Sequence, residues 1–152
     1  MSLDDEVAAL RKVTLFRGVD EQKLRLLAFI SERVSFQSGE SLMEQGEKGD
    51  VAYILLSGNA DVVVNTAQGE QKVATVGEND VIGEIAILID VPRTATVRAT
   101  SDILALAVAK DNFFKLLRNF PDMGVEVMRV LAHRLERTTA ELGRLKAGLV
   151  GA

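Results

Sequence analysis

The spacing of apolar residues changes twice along the chain, and each change predicts a change of secondary structure. Over the first thirty residues the pattern is helical: Val7, Leu10 and Arg11 lead to a break at Gly18, and Asp20 is placed to cap a second helix from Glu21 to Ile30. Leu24, Leu27 and Ile30 recur at helical spacing and are expected to face the core. From Arg33 to Val108 the runs become short and rich in β-formers, broken by Gly39, Gly46, Gly49, Gly58, Gly69 and Gly77, which read as turn glycines. Val51–Ser57 is the clearest strand. Gly58-Asn59 followed by Ala60–Val64 predicts a hairpin, and Gln71–Val76 and Ile103–Val108 supply further strands.

After Lys110 the helical period returns. Phe113, Phe114, Leu116 and Leu117 mark a short helix that stops before Pro121, a residue suited to the first turn of the next helix. In that last helix Met128, Leu131, Leu135, Leu142, Leu145 and Leu149 alternate at spacings of three and four, with Thr138 filling the gap. This is a heptad seam, and such seams want a partner, so pairing of the helix with a second copy is expected.

Together these elements predict a mainly β fold with flanking helices. Residues 33–108 form a double-stranded β-helix, a jelly-roll-like β-roll; helices over residues 4–30 precede it, and helices over 110–147 follow, ending in a C-terminal lid or dimer helix. Residues 1–152 read as one domain, because no linker-like stretch divides them. The apolar share of 47% is enough for a proper core.

Composition removes several chemistries. There is no cysteine, so disulfides and thiolate metal sites are excluded, and the single His133 reads as a solvated helix residue. Asp4, Asp5 and Glu6 stand where a secretory signal would be positive and read instead as charge favoured at a helix N-terminus; a cytoplasmic, non-membrane protein is expected. Eighteen Lys and Arg against 22 Asp and Glu give a net charge of -4, which argues against direct DNA binding. Nothing resembles a nucleophile elbow, a P-loop or a zinc-protease motif, so no enzymatic activity and no cofactor are expected.

One segment, Gly83–Val97, carries polar residues that packing does not require. Gly83 permits a sharp turn after Val81-Ile82, Glu84 opens a helix of one or two turns to Ile89, and Asp90–Pro92 stop it. The free amides of that helix start, with Arg93 brought back over them, make a site for a phosphate monoanion. Glu84 would be repelled by the phosphate, so a sugar hydroxyl is its natural partner. Phosphate and sugar together indicate a nucleotide.

Gly83-Glu84-Ile85-Ala86 with Pro92-Arg93-Thr94-Ala95-Thr96-Val97 resembles the phosphate-binding cassette of cyclic-nucleotide-binding domains. Phe36–Glu40, Glu44–Asp50 and Tyr53–Gly58 are similar to turn and strand signatures of that family, and the likeness spans about residues 10 to 145. Ile82 and Ile87 depart from the commoner Phe and Leu. The resemblance implies that Glu84 binds the ribose 2′-hydroxyl and Arg93 the cyclic phosphate. It also implies phosphate contacts from the Ala86 and Thr94 amides, a close approach of the sugar at Gly83, and Ile85 and Ala95 within the same site. Thr94 leaves cAMP against cGMP open.

Ala132–Thr139 resembles the dimer helix of the bacterial catabolite activator protein, which implies Thr138 and Thr139 near an adenine amino group, cAMP as ligand, and a homodimer through the C-terminal helix. The expected function is a cyclic-nucleotide sensor that signals through this helix. Its rivals are a nucleotide-free adaptor or dimerisation domain of the same fold, and the sensor half of a transcription regulator lacking its DNA-binding domain.

Overall fold

A computed structural model describes the backbone of residues 2–84 and 88–151, and side chains as far as residue 148. The elements are α1 (Leu3–Arg11), a 3-10 turn (Thr14–Phe16), α2 (Glu21–Ile30), β1 (Glu32–Phe36), β2 (Ser41–Met43), β3 (Val51–Ser57), β4 (Ala60–Thr66), β5 (Gly69–Val76), β6 (Val81–Ile82), β7 (Thr96–Ala99), β8 (Ile103–Ala109), α3 (Lys110–Asn119) and α4 (Pro121–Gly151). The fold is mainly β with flanking helices, in agreement with the sequence pattern. Asp20 caps α2 as expected, accepting the Lys23 amide at 3.1 Å. The last helix continues beyond residue 147, to Gly151.

The strands form two antiparallel sheets in the orders β1-β8-β3-β6 and β2-β7-β4-β5. Between them lie Leu42, Leu55, Ala60, Ile82, Val97, Ala99, Ile103 and Ala105. The outer face of the first sheet is covered by the helices, so Ala52, Ile54, Leu56, Leu106 and Val108 join Leu10, Leu24, Leu27 and Phe113 in a second cluster. Burial on both faces explains why β3 reads as an almost continuous apolar run rather than an alternating one.

The hairpin expected from Val51–Ser57 and Ala60–Val64 does not form. β3 pairs with β8 and β6, whereas β4 pairs with β7 and β5, so the chain changes sheets at Gly58-Asn59. Gly58 has φ +92° and lies against the Asp102 carbonyl and Ile103, a corner that no side chain fits. The hairpin lies one strand later, between β4 and β5.

The N-terminal acids also divide. Ser2 and Asp5 form a reciprocal capping box, as helix-start residues do. Glu6, by contrast, is buried and pairs with Arg33 of β1, because its position in α1 faces the roll rather than solvent. It is a tie between helix and sheet, not a solvated terminal charge.

Gly58→Ala is expected to destabilise the protein by about 2 to 4 kcal/mol, combining the left-handed penalty with overpacking against residues 102 and 103. Urea denaturation checks this, and a loss below 1 kcal/mol would show that the corner relaxes without strain.

Candidate functional site

The sheet change at Gly58 places β6, β7 and the segment between them around one end of the roll. There a cavity of about 210 Å³ is lined by Gly83, Glu84, Pro92, Arg93, Thr94 and Ala95 on one side and by Met43, Val62, Val76 and Val97 on the other. Five residues singled out from sequence, Gly83, Glu84, Arg93, Thr94 and Ala95, therefore meet at one cavity. Ile85 and Ala86, which with Ile87 make the middle of the short helix expected over Glu84–Ile89, lie outside the described residues. The apolar wall carried no sequence signal, since its residues follow the same alternation as the core.

Arg93 is only 7% exposed. Its backbone is clamped by the β2–β3 loop: its N–H donates to the Glu47 carbonyl at 2.8 Å, and Gly46 N–H donates to its carbonyl at 2.9 Å. The Gln45 amide likewise donates to Thr96 Oγ1 at 2.9 Å, so the Glu44–Asp50 stretch serves to hold this segment. The guanidinium donates through Nη2 to the Val51 carbonyl at 2.6 Å and through Nη1 to the Gly83 carbonyl at 3.2 Å. Gly83 has φ +83°, and a side chain there would enter the space of Nη1.

A guanidinium has five N–H donors. Two hydrogen bonds leave three donors without a protein acceptor among the described residues, and no carboxylate forms an ion pair with Arg93 there. Buried charges are ordinarily paired, so this cation at a cavity wall is poised for an anion. Tyr53 stands half-buried nearby, edge-on to Phe36 with ring centres 5.5 Å apart. Burial pushes its phenol above the ordinary value, and the positive charge of Arg93 works against that shift.

Glu84 does not pair with Arg93. Its carboxylate, 16% exposed, accepts from Arg134 Nη1 of α4 at 3.2 Å. Sequence reading passed over Arg134, although it stands one helical turn before Thr138, whose hydroxyl donates to the Arg134 carbonyl at 2.9 Å. The available signal was electrostatic: a largely buried carboxylate that does not neutralise Arg93 needs another cation as partner. Thr138 and Thr139 sit on the exposed outer part of α4 and do not line the cavity.

The first turns of α4 dock through Met123 and Val127, both buried. Beyond them the seam emerges into solvent, with Met128, Leu135, Leu142 and Leu145 more than half exposed. Among the described residues, no group of three or more His, Cys, Asp or Glu side chains is placed to hold a metal, and no helix is long and apolar enough to cross a membrane.

The cyclic nucleotide-binding domain profile matches residues 33–120, more than half of the chain and all of the cavity-forming segments described above. The chain belongs to the cyclic nucleotide-binding domain family. It is 29% identical over 142 residues to a CRP-like cAMP-activated global transcriptional regulator of Mycobacterium tuberculosis, covering 93% of this chain and 62% of that protein. The chain thus spans under two thirds of the length of that relative. Among solved structures, the N-terminal domain of a transcriptional regulator from Streptomyces coelicolor is similar with a TM-score of 0.77 and 30% identity, over 86% of this chain and 94% of that one. The regulatory domain of Toxoplasma gondii PKA, solved with cAMP, is similar with a TM-score of 0.72 and 27% identity, over 75% of this chain and 44% of that one.

Arg134–Glu84 is the one ion pair among the described residues that joins α4 to the cavity rim. For a partly exposed pair of this kind a contribution of up to about 1 kcal/mol is expected. Arg134→Gln should therefore raise amide exchange over residues 131–140 roughly fivefold and leave the sheets unchanged. Identical exchange in both proteins would show that the helix is held by its apolar contacts alone.

Proposed function

We propose that this domain is a cyclic-nucleotide sensor whose ligand is cAMP. A single observation carries the reading: a buried, clamped guanidinium that has unspent donors and no carboxylate partner among the described residues faces a cavity whose rim also holds Glu84. An anion with an adjacent hydroxyl fits both groups, and a cyclic nucleotide supplies the two in one molecule. Arg93 would pair with the phosphate while keeping its bonds to Val51 and Gly83. Glu84 would exchange Arg134 for the ribose hydroxyl, with Gly83 giving the sugar room and Thr94 and Ala95 at the phosphate side. The purine would then rest on the wall of Met43, Val62 and Val76. That the Mycobacterium relative is named as cAMP-activated and the Toxoplasma structure contains cAMP supports this ligand over cGMP.

The output would be a change in α4. Ligand and Arg134 compete for one carboxylate, so binding shifts the helix only by the difference in their affinities for its two positions. The exposed seam supports a homodimer through this helix. With Met128 at position a, Glu141 falls at g and Lys146 at e, the positions that form interhelical ion pairs between parallel strands. In such a dimer Thr138 and Thr139 would come toward the ligand of one copy or the other. We read the domain as a cytoplasmic binding module without catalytic activity, consistent with its family. The longer relative is described as a transcriptional regulator, and joined to a DNA-binding segment this domain would be a sensor half.

Arg93→Ala should weaken cAMP binding by about 2 to 5 kcal/mol, the usual loss when one partner of a desolvated charge pair is removed. Isothermal calorimetry on the two proteins checks this. Unchanged affinity would remove the phosphate role from Arg93.

A further inference from the structure

The guanidinium of Arg93 rests on a second feature, whose importance depends on the phosphate-binding reading above. Gly49, in the β2–β3 loop, reads from sequence as a turn glycine, yet it is not among the residues with positive φ. Its backbone conformation is open to any L-residue. The space beside it is not: a Cβ at this position would stand 2.5 Å from Cζ and from Nε of Arg93, and 2.8 Å from Nη1. The three nearest atoms all belong to the one side chain. Gly83 differs, because its left-handed φ and the Val51 carbonyl at 3.1 Å already call for glycine there.

We propose that Gly49 is a positioning residue for Arg93: its missing side chain lets the guanidinium lie flat against the loop, where the Val51 and Gly83 carbonyls fix its direction. The loop itself has little room to yield, since Gly46 and Glu47 are hydrogen-bonded to the backbone of Arg93. A methyl group at residue 49 must therefore move the guanidinium. Restoring ordinary carbon–carbon separation requires about 1 Å of displacement, enough to break the 2.6 Å bond to Val51 and to misdirect the donors left for phosphate. Gly49 touches the ligand in no part of this scheme; it acts through Arg93 alone.

A double-mutant cycle tests this. Wild type, Gly49→Ala, Arg93→Ala and the double variant are compared by calorimetric cAMP titration and, without ligand, by thermal unfolding. Gly49→Ala is expected to weaken cAMP binding about tenfold and to lower the melting temperature when Arg93 is present. In the Arg93→Ala background the same substitution should alter neither residual affinity by more than about twofold nor the melting temperature. Wild-type affinity in Gly49→Ala overturns the proposal, as does an equal loss with and without Arg93, which would mark a backbone role for the glycine. If Arg93→Ala itself binds cAMP like the wild type, the phosphate reading fails separately. The ligand-free melting cycle then still decides whether Gly49 acts through the guanidinium.

Discussion

A guanidinium held out of water, with no carboxylate paired to it among the described residues, is the constraint around which this molecule is arranged. Leaving Arg93 so nearly buried would be costly if nothing met its charge, and the protein meets it halfway, with two carbonyl dipoles from Val51 and Gly83. Several otherwise unrelated features serve that position. The β2–β3 loop bonds to the backbone of Arg93, Gly83 turns away the side chain that would occupy the space of Nη1, and the crossing at Gly58 brings the sheets together around the cavity it faces. The arrangement fixes the cation before any ligand arrives, so little side-chain ordering remains to oppose binding.

Glu84 supplies the other half of the account. A carboxylate on the rim of a cavity with a buried cation could have neutralised that cation; instead it turns to Arg134 on the terminal helix. The two charges thus answer to different partners, one inside the roll and one on the terminal helix beyond it. Under the proposed reading, ligand entry satisfies Arg93 and frees Arg134 in one event. The helix that receives the change is docked through Met123, Val127 and Leu131 and tied by Arg134, and beyond these contacts its seam residues Leu135, Leu142 and Leu145 are exposed.

Legibility in the sequence followed the physical origin of each feature. Elements set by period were clear: α2 with its Asp20 cap, the heptad seam, and the switch from helix to strand near residue 32. The Gly83–Val97 segment stood out because its polar residues had no packing purpose, and Glu84 and Arg93 do meet at one cavity. Features set by tertiary geometry were not legible. Gly58-Asn59 has the local chemistry of a hairpin turn, and only the pairing of β4 with β7 decides that the chain changes sheets. Glu6 matched its neighbours Asp4 and Asp5 in sequence but not in burial. Arg134 could not be matched to Glu84, because a separation of 50 residues leaves no trace in local pattern. Gly49 looked like any other loop glycine, since its requirement comes from a side chain 44 positions away.

The most direct test of the central claim observes the guanidinium itself. In a ¹⁵N-labelled sample the Arg93 Nε–H resonance, assigned by its loss in a conservative Arg93→Lys variant, should be resolved in the free protein because the group is held and shielded. Titration with cAMP should move it to a single new position that saturates with the bound fraction. A resonance that stays in place while other signals report saturation would mean that the ligand's phosphate goes elsewhere, and the account built on this cation would be wrong.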